Sequence, residues 1–88
     1  INPLWFQTPV APQASVLFGE EIPDYDAAVA AMRLLAYRHD NVLCEGVGGW
    51  MVPLRPGYTM ADFAAQLGWP VVIVARNRLG VLNHVLLT

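Results

Sequence analysis

The sequence contains no lysine. Its five basic residues are all arginines, Arg33, Arg38, Arg55, Arg76 and Arg78, and they form no cluster. A phosphate-binding loop of the Gly-x-x-x-x-Gly-Lys type is therefore excluded from these 88 residues, because its lysine is what reaches the phosphates. With a formal net charge of −2, nothing favours nucleic acid, whose binding rests on neutralising backbone phosphates. A single cysteine, Cys44, rules out an internal disulfide framework and fits a reducing, cytoplasmic setting. Charge of either sign is scarce, at 14% against roughly 25% in an ordinary soluble domain. Hydrophobic residues reach 56%, a balance that suggests strands buried on both faces and covered by elements outside the chain. Long apolar runs are absent: residues 71–75 and 81–87 fall far short of the ~20 that a membrane-spanning helix needs. No basic stretch ahead of an apolar one marks a signal peptide. The chain starts at Ile1 and stops at Thr88 within an apolar, helix-like run. It reads as an internal piece of a longer protein, at most a single domain.

Proline interrupts residues 1–18 at Pro3, Pro9 and Pro12, which leaves room for a short extended piece over 2–6 and at most a short helix over 13–18. Residues 19–23 read as a linker. Asp24 is a plausible N-cap for a helix over 25–37, and Asp26 adds favourable charge to its first turn. Val29, Met32, Leu35 and Ala36 recur there at helical spacing, with Arg33 on another face. After His39-Asp40-Asn41 comes a short apolar run, Val42-Leu43-Cys44, that ends on Glu45 and then glycine. Residues 46–57 read as a loop rich in glycine and proline. Thr59-Met60-Ala61-Asp62 is a capping-box variant, with Tyr58 and Phe63 at the positions of a hydrophobic staple, and Gly68 suits the helix end. Beyond Pro70, residues 71–74 are a continuous β-branched run, as in a strand covered on both faces. Residues 76–80 read as a loop and 81–88 as a further helix.

Strands alternating with helices predict an α/β fold, a parallel sheet with flanking helices joined by right-handed crossovers. In such sheets ligands sit outside the carboxyl ends of the strands. Both strands deliver a polar, glycine-containing segment there, residues 45–50 and 76–80. An acid at the end of a buried strand is costly unless paired or bound to a cation. Glu45 is thus a candidate Mg²⁺ ligand, directly or through water. Gly46, Gly48 and Gly49 would let the backbone approach phosphate or another anion. A tight turn whose glutamate merely caps a nearby helix remains the alternative on spacing alone.

The same residues carry a resemblance. Glu45-Gly46-Val47-Gly48-Gly49-Trp50-Met51-Val52-Pro53-Leu54, followed by Tyr58-Thr59-Met60-Ala61-Asp62, closely resembles the central motif of the dethiobiotin synthetases. Residues 70–84, Pro70-Val71-Val72-Ile73-Val74-Ala75-Arg76-Asn77-Arg78-Leu79-Gly80-Val81-Leu82-Asn83-His84, continue the match in register. Asn2-Pro3 and Ala11-Pro12 fit the family's upstream segment more loosely. Gln13 stands where the family often has histidine, so no role is carried onto it. The resemblance implies a P-loop NTPase-like fold in a homodimer, with the P-loop and the substrate lysine upstream of this segment. It implies conversion of 7,8-diaminononanoate, CO₂ and ATP into dethiobiotin, ADP and phosphate. Amine carboxylation gives a carbamate, ATP phosphorylates it to a carbamic-phosphoric anhydride, and the second amine closes the ureido ring. Glu45 would hold Mg²⁺, and Gly46, Gly48 and Gly49 would line the phosphate and substrate region. Leu79, Gly80, Val81 and Asn83 would approach diaminononanoate at the dimer interface, where amides at a helix start can bind its carboxylate. The chain alone, without lysines, is expected to be inactive and only partly ordered or aggregating.

Other residues are read more plainly. Cys44 is a small hydrophobe, His39 and His84 lack metal-ligand spacing and read as structural or solvated, Trp5 and Trp69 read as packing residues, and Trp50 packs either over the glycine loop as a lid or in the core. Arg76 and Arg78 fit a solvated loop, an intersubunit ion pair or a phosphate contact equally. Two other readings stay open: a cobyrinate-type ATP-dependent amidation enzyme, and an inert dimerisation module of the same fold.

Overall fold

The computed structural model describes residue 2 and residues 4–88. Ile1 and Pro3, and with them part of the expected extended piece over 2–6, lie outside the described residues. The first regular element is a 3-10 helix, Pro12–Phe18. Proline at its first position lacks an N–H that would have no partner anyway. Ser15, fully buried, donates its hydroxyl to the Pro12 carbonyl at 2.7 Å. Behind it, the Glu20 carboxylate accepts the backbone N–H groups of Thr8 at 2.9 Å and Gln7 at 3.2 Å, pinning the preceding loop. The Thr8 side chain, and then these two N–H groups, hold the carboxyl of Glu20 below its ordinary pKa.

Helix α1, Tyr25–Arg38, begins where expected. Asp24 Oδ1 accepts from Ala27 N at 2.9 Å, satisfying a first-turn donor that the helix itself leaves open. Its buried stripe is Tyr25, Ala28, Val29 and Met32, the i, i+3, i+4, i+7 positions of one helix face. A hairpin follows: β1, Pro53–Arg55, pairs antiparallel with β2, Tyr58–Thr59. Its turn is Pro56-Gly57. Pro56 presets φ at the first corner, and Gly57, at φ 70°, takes the positive φ that the second corner of a type II turn demands. Helix α2, Met60–Leu67, carries the full capping box: Thr59 and Asp62 each accept from the other's backbone N–H. The Thr59 hydroxyl and N–H hold the Asp62 carboxyl below its ordinary pKa. Gly68 closes the helix in the left-handed region. Helix α3, Val81–Leu87, buries none of its residues.

The core joins α1, β1 and α2 through Tyr25, Ala28, Val29, Met32, Leu54, Phe63 and Leu67. Tyr25, 2% exposed, is its hub. Its ring lies 5.9 Å from that of Tyr58 and 6.3 Å from that of Phe63, the latter edge-on, and its hydroxyl donates to the Leu54 carbonyl. Each such side chain contributes about 1.5–3 kcal/mol by leaving water. A polar clasp reinforces the α1–α2 contact. Gln66 donates to Asp26 at 2.7 Å and accepts from the Tyr58 hydroxyl, while Arg33 donates to the Gln66 carbonyl at 2.9 Å.

The expected parallel sheet does not form among the described residues. The sheet present is the two-stranded hairpin, whose first strand and turn lie inside the segment 46–57 read as loop and whose second strand lies just beyond it. A strand is a property of two backbones, and residues 42–44 and 71–74 have no partner ladder here. Residues 42–45 nevertheless alternate between half-buried and exposed, the period of an extended chain. Trp5 is a second correction: it is 72% exposed rather than packed. Trp69 does pack against the core, and Trp50 is half-buried. Among the described residues, no helix is long and apolar enough to cross a membrane.

Candidate functional site

Glu45 lies where the extended run 42–45 meets the glycine loop, and its side chain is exposed. Together with Gly46 it lines a groove of about 680 Å³ whose walls include Leu4, Ala28, Met32, Leu54 and Phe63. A Cβ on Gly46 would stand 3.4 Å from the Met60 thioether, so the backbone here runs close against the start of α2. Cys44, half-buried and free, also lines the groove. Burial pushes its thiol pKa up, which makes it a poor nucleophile at neutral pH. The reading of Cys44 as a packing residue agrees with this placement.

Gly48 shows why the loop needs glycine. Its φ is 64°, and a Cβ would come within 2.8 Å of Val52 Cγ2. Gly49 turns the chain back, its carbonyl accepting from Val52 N at 3.1 Å. Trp50 and Val52 then offer their carbonyls to Ala61 N and Met60 N, both at 3.0 Å. These two bonds, together with the Thr59 cap, occupy the first-turn N–H groups of α2. The start of α2 is thus committed to positioning the glycine loop, and its amides are not free to hold an anion. Nothing in the sequence pattern disclosed that Met60 and Val52 back the loop.

Among the described residues, the second predicted group shares neither a hydrogen bond nor the groove with the first. Leu79 is fully exposed, Asn83 is exposed and Val81 half-buried. Gly80, at φ 94°, is the N-cap residue of α3 and accepts from His84 N at 3.1 Å. No hydrogen bond links residues 79–83 to 45–49 among the described residues, and the groove beside Glu45 is not lined by any of 79–83. Arg76, Arg78, His39 and His84 are all exposed.

Among the described residues, no group of three or more His, Cys, Asp or Glu side chains is placed to hold a metal. A Mg²⁺ bound mainly by water and phosphate oxygens needs only one or two protein carboxylates. The exposed Glu45 beside a close-approaching backbone suits that role. It does not suit a zinc or calcium cage.

Comparison with known proteins places this geometry in a family. A family model described as "AAA domain" matches residues 1–88, which implies a P-loop NTPase-like fold. A protein of Anaeromyxobacter dehalogenans (strain 2CP-1) named "ATP-dependent dethiobiotin synthetase BioD" is 48% identical over 89 residues, covering 100% of this chain and 40% of the relative. Proteins with the same name from Aromatoleum aromaticum and Akkermansia muciniphila are 44% identical over 90 residues and 36% identical over 88. Each match covers the whole chain and, respectively, 39% and 41% of the relative. No solved structure matches. The chain therefore spans about 40% of the length of the curated relatives it matches. It belongs to the AAA domain family and is, along its whole length, a homologue of proteins named ATP-dependent dethiobiotin synthetase.

Proposed function

We propose that the chain is part of a dethiobiotin synthetase, an ATP-dependent ligase of biotin biosynthesis that forms the ureido ring of dethiobiotin from 7,8-diaminononanoate, CO₂ and ATP. The observation that carries this reading is the whole-length identity of 36–48% to proteins of that name. It is supported by an exposed acid set at the start of a glycine loop that is braced from behind. The reaction runs through a carbamate and a carbamic-phosphoric anhydride. Phosphoryl transfer of this kind is served mainly by positioning and by cations on the phosphate oxygens.

In this reading Glu45 contributes a ligand to Mg²⁺, which when bound neutralises phosphate charge. Gly46, Gly48 and Gly49 keep the backbone low enough for phosphate or substrate to approach. Residues 79–83 meet diaminononanoate at the interface of a cytoplasmic homodimer, with Asn83 as the preferred side chain. The lysine-free composition assigns the phosphate-binding lysines to other parts of a longer polypeptide. With them come the partner strands that make residues 42–45 and 71–74 part of a parallel sheet. The 88 residues alone are then inactive.

The test uses the longer polypeptide that contains this chain. Glu45→Gln is compared with wild type for ATP-dependent product formation across a Mg²⁺ titration. The reading expects a loss of at least about tenfold and a weaker apparent Mg²⁺ affinity, the scale of one lost transition-state interaction. Wild-type rate and unchanged Mg²⁺ dependence in the variant would remove Glu45 from the metal site.

A further inference from the structure

We infer that Met60 is a positioning residue of the candidate Mg²⁺ site: its thioether props the Gly46 backbone and so sets the reach of the neighbouring Glu45 carboxylate. The inference deepens the proposed function and rests on its reading of Glu45 as a Mg²⁺ ligand. Met60 acts through the backbone and need not touch the ion.

The loop has little else to rest on. Among the described residues, Gly46, Val47 and Gly48 make no backbone–backbone hydrogen bond, so packing sets the path of the chain just after Glu45. The three atoms nearest to a Cβ built on Gly46 all belong to Met60, Cε and Sδ at 3.4 Å and Cγ at 3.5 Å. Gly46 is not among the glycines with positive φ. Its conformation would admit a side chain, and contact with the thioether is what limits the backbone here.

Met60 can serve as a prop because it is itself fixed. It is the first residue of α2, three positions ahead of the buried Phe63, and its N–H donates to the Val52 carbonyl at 3.0 Å. Val52 is the residue that a Cβ on Gly48 would strike at 2.8 Å. One hydrogen bond thus ties Met60, against Gly46, and Val52, against Gly48, into a single platform. The Thr59–Asp62 capping box and the Gln66–Asp26 contact with α1 hold that platform on the core. Met60 also lines the same groove as Glu45 and Gly46, so shortening it opens space on the side that supports the loop. Misplacing a group by about 1 Å can cost up to ~100-fold. Groups behind a metal ligand typically contribute about 10–100-fold in metal affinity, and a prop that acts only by packing belongs at or below the lower end of that range.

The test titrates Mg²⁺ into the longer polypeptide in excess ADP and follows the Gly46 amide by NMR, a readout that needs no turnover. Met60→Ala should weaken apparent Mg²⁺ affinity at least about fivefold, while Met60→Leu, which keeps most of the bulk, should stay within about twofold of wild type. Leu67→Ala, in the core at the far end of α2, controls for stability. It should lower the melting temperature at least as far as Met60→Ala yet leave the affinity within about twofold of wild type. Beside Glu45→Gln, Met60→Ala should add less than about twofold, because its effect passes through that carboxylate. Wild-type affinity in folded Met60→Ala overturns the inference, as does an undiminished loss beside Glu45→Gln. Should Met60→Ala not fold, Met60→Val, which shortens the side chain without emptying the site, carries the same expectation. If Glu45→Gln leaves the affinity unchanged, the metal reading of Glu45 fails and the inference with it. If Glu45→Gln weakens binding and the folded Met60 variants do not, the inference fails alone.

Discussion

Replacing Tyr25 separates ring packing from hydrogen bonding at the centre of the core. The side chain is 2% exposed and touches all three elements of the core. Its ring makes a tilted contact with Tyr58 at 5.9 Å and an edge contact with Phe63 at 6.3 Å. Such pairs add about 0.5–1.5 kcal/mol each beyond simple burial. The hydroxyl reaches the Leu54 carbonyl at 3.3 Å, a long bond that belongs near the lower end of the usual net range. Tyr25→Phe keeps the ring and loses this bond, for a cost of about 0.5–1 kcal/mol. Tyr25→Ala removes the ring and opens a void between two helices and a hairpin, for about 3–5 kcal/mol, as for other buried aromatics. Urea denaturation followed by circular dichroism gives both values. A cost below about 1 kcal/mol for Tyr25→Ala would refute the core described here. If Tyr25→Phe cost as much as Tyr25→Ala, the hydroxyl rather than the ring would be the anchor.

Other perturbations have equally defined outcomes. Thr59→Ala removes the side-chain half of the capping box and should cost about 1 kcal/mol, with Thr59→Ser close to neutral, in thermal melts. Gly48→Ala should cost about 1–2 kcal/mol from the positive φ alone, and more from the contact with Val52. Adding Val52→Ala should recover only the contact part, whereas Gly49→Ala, with open space around it, should lie within about 0.5 kcal/mol of wild type. The depressed pKa of Glu20 fixes a sign: the folded state binds its proton less readily than the unfolded state. The clasp on Gln7 and Thr8 is then intact above the ordinary carboxylate pKa and is lost as pH falls through the depressed one. The Thr8 amide shift should titrate in that window and stop doing so in Glu20→Gln.

How much the sequence disclosed follows from how local each signal is. The Asp24 cap, the α1 stripe at Val29 and Met32, the Thr59–Asp62 box and the Gly68 stop are each written within a few residues, and all are present. The hairpin escaped because its strands are three and two residues long, the first of them beginning on a proline, which leaves the Pro56-Gly57 turn as its main mark. Tyr25 escaped as a hub because its partners, Leu54, Tyr58 and Phe63, come from 29 or more residues away. The runs 42–44 and 71–74 read as strands for sound reasons of composition. A ladder needs a second backbone, however, and none pairs with them among the described residues. The same distinction applies to the site. The position of Glu45 at the mouth of a glycine loop was legible locally. The bracing of that loop by Met60 and Ala61 was not.

The central claim is that this chain serves ureido-ring formation. Its most direct test supplies the longer polypeptide with ATP, 7,8-diaminononanoate and ¹³C-bicarbonate, and examines the product by mass spectrometry. The account predicts ATP-dependent dethiobiotin that carries the label in its ureido carbonyl. A folded polypeptide that hydrolyses or binds ATP but yields no labelled dethiobiotin would contradict it.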